Sequence, residues 1–144
     1  MPAVRRSRVV AAAPDEVWRV LDDPHQLPRW WPGVQRVEAV EGDRFTEVVH
    51  TAKGRPVRLD LRVSAREPGR LLRWEQELAG TPFERHLAES IVELRLAPDV
   101  GGTYVTIEQR QRLHGLSRGG GWMLRRSGVR RLERALAGLA AIVG

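Results

Sequence analysis

Cysteine is absent from this chain, which excludes disulfides, thiolate nucleophiles and zinc sites built on thiolates. Histidine is scarce. Its four copies, His25, His50, His86 and His114, are scattered without the close spacing of a metal-ligand set, so neither a metal nor another cofactor is expected. Lysine is reduced to Lys53, and nearly all positive charge is therefore arginine. Long apolar runs are missing as well: the longest, Ala135 to Val143, falls far short of the roughly 20 residues a membrane-spanning helix needs. The N-terminus lacks an apolar run followed by a cleavage site. These absences predict a soluble cytoplasmic protein without an integral membrane segment.

What is present suits one domain over residues 1–144, a length at which folding buries on the order of 70% of the unfolded surface. The formal charge of +6 and the pI near 11.2 raise the question of an anionic partner. Against this, the arginines are spread without a block of five or six like charges, and their use beside abundant Ala, Gly and Val reads as a general compositional bias. No nucleic-acid partner is expected, and the oligomeric state stays open.

The segment Gly121 to Val143 organises the rest. Val129, Leu132, Leu136, Leu139 and Val143 recur in steps of three and four, one stripe of an α-helix, and Trp122 extends that stripe backwards. Arg126, Arg130 and Arg134 form the opposite face, with Arg125, Arg131 and Glu133 beside them. An amphipathic helix of about twenty residues spans roughly 30 Å and must lie on something. Because most of residues 34–113 reads as strand, the expectation is one long helix against a curved antiparallel sheet.

Earlier in the chain, Val4 to Val10 reads as an edge strand whose arginines stay solvated. Ala13-Pro14-Asp15-Glu16-Val17-Trp18 then opens a helix: proline suits the first helical position, and the two acids complement the positive end of the dipole. Asp22-Asp23-Pro24 ends it, and His25 to Leu27 predicts one more short turn. In Leu27-Pro28-Arg29-Trp30-Trp31-Pro32-Gly33-Val34 two prolines hold a pair of tryptophans in extended or turned backbone.

These stretches, the first strand, the Ala-Pro-Asp-Glu-Val-Trp helix opening and the Leu-Pro-Arg-Trp-Trp-Pro-Gly-Val segment, resemble the START-like (SRPBCC) superfamily, specifically its bacterial polyketide cyclase/dehydrase and lipid-transport branch. The resemblance implies an α+β helix-grip fold: an antiparallel sheet of about seven strands around a long C-terminal helix, two short helices after strand one, and a cavity between sheet and helix. It also implies that the Trp30-Trp31 segment lies near the cavity mouth, one indole capping a hydrophobic ligand and the other packing on the closing helix. The same tryptophans are also plain sources of buried area.

Turn residues divide the remainder into strands Val34 to Val40, Arg44 to Thr51, Val57 to Ala65, Leu71 to Ala79, Phe83 to Leu96 and Thr103 to Leu113. Gly119-Gly120-Gly121 then allows the chain to reverse, and it lacks the Lys-Ser/Thr of a phosphate-binding loop. The strand from Val57 alternates most cleanly, aliphatic residues against Arg58, Asp60 and Arg62.

Strand parity locates the candidate site. If Leu94, Leu96, Val105 and Ile107 face the long helix, the same parity turns His86 and Ser90 inward on one strand and Gln109 and Gln111 inward on the next, with Trp74 and Gln76 beside them. Buried amides left unpaired cost about 1 to 3 kcal/mol each, so these groups must meet each other, water or a ligand. A bulge near His86 or Arg110 would instead flip part of the set to solvent. The expected ligand-binding residues are Trp30, Trp31, Trp74, Gln76, His86, Ser90, Gln109 and Gln111. No nucleophilic triad or carboxylate pair is visible, and Glu75 and Glu77 take the parity opposite to Trp74. His86 near Gln109 is the one candidate acid/base for the cyclase or dehydratase activity that the resemblance brings as an alternative. The principal expectation is binding of a small hydrophobic molecule, lipid- or polyketide-like. A further alternative is an anionic surface met by Arg126, Arg130 and Arg134 together with Arg5, Arg6 and Arg8.

Overall fold

The computed structural model describes residues 3–50, 53–113 and 121–143, the side chains of 121–126 excepted. Strand β1 (Ala3–Val10) is followed by helix α1 (Pro14–Leu21), a 3-10 turn (Pro24–Gln26) and the single helical turn α2 (Leu27–Trp30). Strands β2 (Val34–Glu41), β3 (Arg44–His50), β4 (Pro56–Glu67), β5 (Leu71–Gln76), β6 (Leu87–Asp99) and β7 (Gly102–Leu113) come next, and α3 (Gly121–Val143) closes the chain. The seven strands form one sheet in the order β1-β7-β6-β5-β4-β3-β2, and every neighbouring pair is antiparallel. This is the α+β helix-grip architecture. Only β1 is out of sequence, crossing from the far edge to pair with β7, which leaves β1 and β2 as the two edges.

The core lies between the sheet and α3. Leu132, Ala135, Leu136 and Leu139 are buried in one cluster with Val4 and Val10 of β1, Leu94 and Leu96 of β6, and Val105 and Ile107 of β7. Each such valine, leucine or isoleucine side chain contributes roughly 1.5 to 3 kcal/mol of burial. The helical stripe is thus the inner face of α3, with Val129 and Val143 packed at its margin; Trp122, Arg126 and the hinge at 119–120 fall outside the described side chains. Helix α1 begins at Pro14 with Asp15 and Glu16 in its first turn, and buries Val17 and Leu21.

Three local expectations are corrected. The octet around the tryptophans begins helical, because Pro28 occupies an early position of α2 where a missing N–H costs nothing. The strand expected from Phe83 begins at Leu87, since Pro82–Arg85 forms a 3-10 turn capped by the Thr81 hydroxyl, which accepts from the Phe83 amide at 3.3 Å. The strand expected from Leu71 to Ala79 stops at Gln76, because the Leu78 carbonyl accepts from the amide and hydroxyl of Thr81 and so joins that turn.

Candidate functional site

Inner residues of the curved sheet, with Arg131 of α3, line a cavity of about 390 Å³ that is open on one side to solvent, within the size range typical of small-molecule sites. Its apolar wall is Trp31, Trp74, Val49, Leu59, Leu61 and Val92, with Phe83 and Leu87 nearby. Its polar wall is Gln76, Ser90, Gln109, Gln111, Glu47 and Arg131. Gly33 and His50 are the exposed members of the lining.

Strand periodicity assembles the amide row. Val92, Leu94 and Leu96 are buried on β6, and alternation carries Ser90 to the same side; Val105, Ile107 and Gln109 do likewise for Gln111 on β7. Register places Ser90 opposite Gln111 and Val92 opposite Gln109. Gln111 Nε2 donates to Ser90 Oγ at 3.4 Å. On β5, Leu72 and Trp74 are buried and Gln76 follows them inward; its Nε2 is buried with no hydrogen-bond partner among the described residues.

The aromatic residues form a chain of edge-to-face contacts. Trp30 meets Trp31 at 5.5 Å between ring centroids, Trp31 meets Trp74 at 5.8 Å, and Trp74 meets Phe45 at 6.2 Å. This geometry suits the ring quadrupoles. The two adjacent tryptophans have different places. Trp31 lines the cavity, whereas Trp30, 3% exposed, lies beneath α3, where a Cβ on Gly138 would stand 2.7 Å from its carbonyl oxygen.

His86 stands apart from this group. It caps the C-terminal end of the 3-10 turn and is exposed, and a register shift between Leu87 and Glu89 breaks the parity that would have carried it inward. The arginine surface also divides. Arg5 points to the outer face of the sheet and pairs with Glu108 at 2.6 Å, whereas Arg6, on the other face, reaches Glu133 of α3 at 3.6 Å. Alternation along β1 keeps Arg5 from joining Arg6 and Arg8 on one surface.

Two functional candidates were not picked out by sequence reasoning. Glu47 is 4% exposed, lines the cavity, and makes no hydrogen bond or ion pair among the described residues. Burial pushes its carboxyl up to about 7, partly opposed by the positive charge of Arg131. Its signal was available: Phe45, Glu47 and Val49 share one face of β3. Arg131 is half-buried on α3 and donates from Nη1 to Gln109 Oε1 at 3.0 Å; desolvation lowers its pKa, partly opposed by Glu47. It belongs to the cavity and not to the solvent-facing arginine row, because it sits one turn from Gly128 and Ala135, both buried. Among the described residues no group of three or more His, Asp or Glu is placed to hold a metal, and no helix is long and apolar enough to cross a membrane.

Among solved structures, the di-domain ARO/CYC BexL from the BE-7585A biosynthetic pathway is 26% identical with a TM-score of 0.78, over 98% of this chain and 46% of that one. This chain therefore spans about half of that protein. TTHA0849 from Thermus thermophilus is 24% identical with a TM-score of 0.76, over 99% of this chain and 97% of that one. CV1439 from Chromobacterium violaceum is 21% identical with a TM-score of 0.75, over 99% and 98%. At these two lower identities the similarity is one of fold. No curated protein matches the chain with significance. The family described as polyketide cyclase / dehydrase and lipid transport matches residues 1–144, and with a match over its whole length this chain belongs to that family.

Proposed function

We propose that the chain binds a small hydrophobic molecule in the cavity between its sheet and α3. The observation that carries this reading is the wall itself: indoles and aliphatic side chains surround a few convergent polar groups, and one of these, Gln76 Nε2, is buried without a partner among the described residues. An unpaired buried donor costs about 1 to 3 kcal/mol, which a ligand oxygen would offset. The apolar wall supplies affinity, and the amides orient the ligand. Native mass spectrometry of freshly purified protein, followed by extraction and identification of any retained mass, tests the proposal. A retained apolar molecule supports it. Protein that carries nothing and shows no thermal shift with a panel of apolar carbonyl compounds would refute it.

A cyclase or dehydratase activity is the second reading, and Glu47 favours it. A cavity carboxyl raised to about 7 can take and return a proton at neutral pH, and the Arg131 guanidinium in the same lining is a positive donor of the kind that stabilises charge developing on a carbonyl oxygen. In this reading Glu47 replaces His86 as the acid/base group. The similarity to BexL adds support. Turnover of a poly-β-carbonyl thioester analogue that is lost in Glu47→Gln while the analogue still binds would establish it; binding without turnover in the unaltered protein would leave the chain a carrier.

A further inference from the structure

Glu47 and Arg131 reach the cavity from opposite sides, one on β3 and the other on α3, and they are the charged groups deepest in its wall. They do not form an ion pair within 4.0 Å among the described residues; Arg131 donates instead to Gln109, and Glu47 has no hydrogen-bond partner there. A half-buried guanidinium whose described hydrogen-bond acceptor is a neutral amide keeps donors to spare, and a buried carboxyl without a donor keeps unused hydrogen-bonding capacity. Both line the same cavity. The geometry points to an apolar acid as the ligand: an aromatic or aliphatic body against Trp31, Trp74 and Leu59, with its anionic oxygens between Arg131 and the Glu47 carboxyl. This inference rests on the binding reading above and names the chemical class of the ligand.

The protonation of Glu47 decides how such a ligand is held. With its proton, Glu47 donates a hydrogen bond to the anion and the cavity carries a net positive charge from Arg131. Without it, Glu47 repels the anion and competes for the guanidinium. Burial raises its carboxyl to about 7, so a bound anion draws a proton onto it. The other groups packed around Glu47 do not share this role. Val37 of β2 and Leu59 of β4 oppose it across the sheet, β5, β6 and β7 present Trp74, Gln76, Ser90, Val92, Gln109 and Gln111, and among the described residues His50 at the exposed rim is the remaining ionisable group of the lining.

Isothermal titration with 2-naphthoate and with neutral 2-naphthamide, two probes of nearly equal size, separates the possibilities. At pH 6 the acid should bind on the order of tenfold more tightly than the amide. Between pH 6 and pH 8 its affinity should fall about tenfold by proton linkage, while that of the amide stays level. In buffers of different ionisation enthalpy at pH 7, binding of the acid should take up about half a proton. Glu47→Gln, which resembles the protonated form, should bind naphthoate without pH dependence or proton uptake. Arg131→Gln should lose the preference for the acid, and His50→Asn should retain the pH response. Equal binding of acid and amide with no proton uptake overturns this inference and leaves the binding reading standing, as does a pH response that disappears in His50→Asn and persists in Glu47→Gln. Binding of neither probe overturns this inference, and the binding reading then stands or falls on the native mass spectrometry and the thermal-shift panel.

Discussion

Arg131 on α3 and Gln109 on β7 are joined by a 3.0 Å hydrogen bond from Nη1 to Oε1, which ties the closing helix to the sheet at the polar end of the cavity. Gln109 is 8% exposed, so the guanidinium has little water with which to replace this acceptor. Gln76, on β5 of the same sheet, has the opposite status, a buried Nε2 with no partner among the described residues.

The two glutamines should therefore respond differently to the same change. Gln109→Leu strands a half-buried charge and is expected to lower stability by about 1 to 3 kcal/mol. Gln76→Leu removes an unpaired amide at nearly constant volume and should leave stability unchanged or raise it. Urea melts at pH 7 check the ordering, and equal losses from both would show that Gln76 has a bond of equal worth.

Glu47 should make folding stability fall with pH. Its carboxyl ionises near 4.5 in the unfolded chain and near 7 in the fold, so the native state holds the extra proton between those values, and stability is lost as pH rises through that window. At about 1.4 kcal/mol per unit the loss is roughly 3 kcal/mol, complete above pH 7. Glu47→Gln should match the unaltered protein near pH 4.5 and exceed it by about that amount at pH 8, read as the difference between paired denaturant melts. A difference that is constant with pH would contradict the raised carboxyl.

The face assignment of α3 is tested by Leu136 and Arg134. Leu136, 3% exposed in the core, should cost about 2 to 5 kcal/mol as Leu136→Ala, and exposed Arg134 should cost less than about 0.5 kcal/mol as Arg134→Ala. Similar losses in denaturant melts would mean that the helix does not bury this stripe.

Gly138 should tolerate no side chain. A Cβ there would stand 2.7 Å from the Trp30 carbonyl oxygen and 3.1 Å from its Cα, and both are backbone atoms that cannot rotate away. Gly138→Ala is expected to cost about 1 to 3 kcal/mol by overpacking, despite alanine's better helix propensity. A gain in thermal stability would show that α2 and α3 can part without penalty.

Several features were determined by the sequence alone. The three-and-four spacing of Leu132, Leu136 and Leu139 defines the inner face of α3 because the helix has 3.6 residues per turn. The alternation around Leu94 and Ile107 places Ser90, Gln109 and Gln111 on the cavity side because a strand has period two. Periodicity fails wherever the backbone leaves its period. At His86 a short turn and a register shift intervene, and the side chain emerges in solvent.

Residue type misled in the opposite sense for Glu47 and Arg131, since charged residues are ordinarily solvated. Only the tertiary structure decided otherwise. The register of β3 in the sheet and the seating of α3 across it bring a carboxyl and a guanidinium from distant parts of the chain to one cavity. Desolvation there moves the carboxyl to about 7, because a pKa answers to the dielectric and the charges around a group and these exist only once the chain is folded.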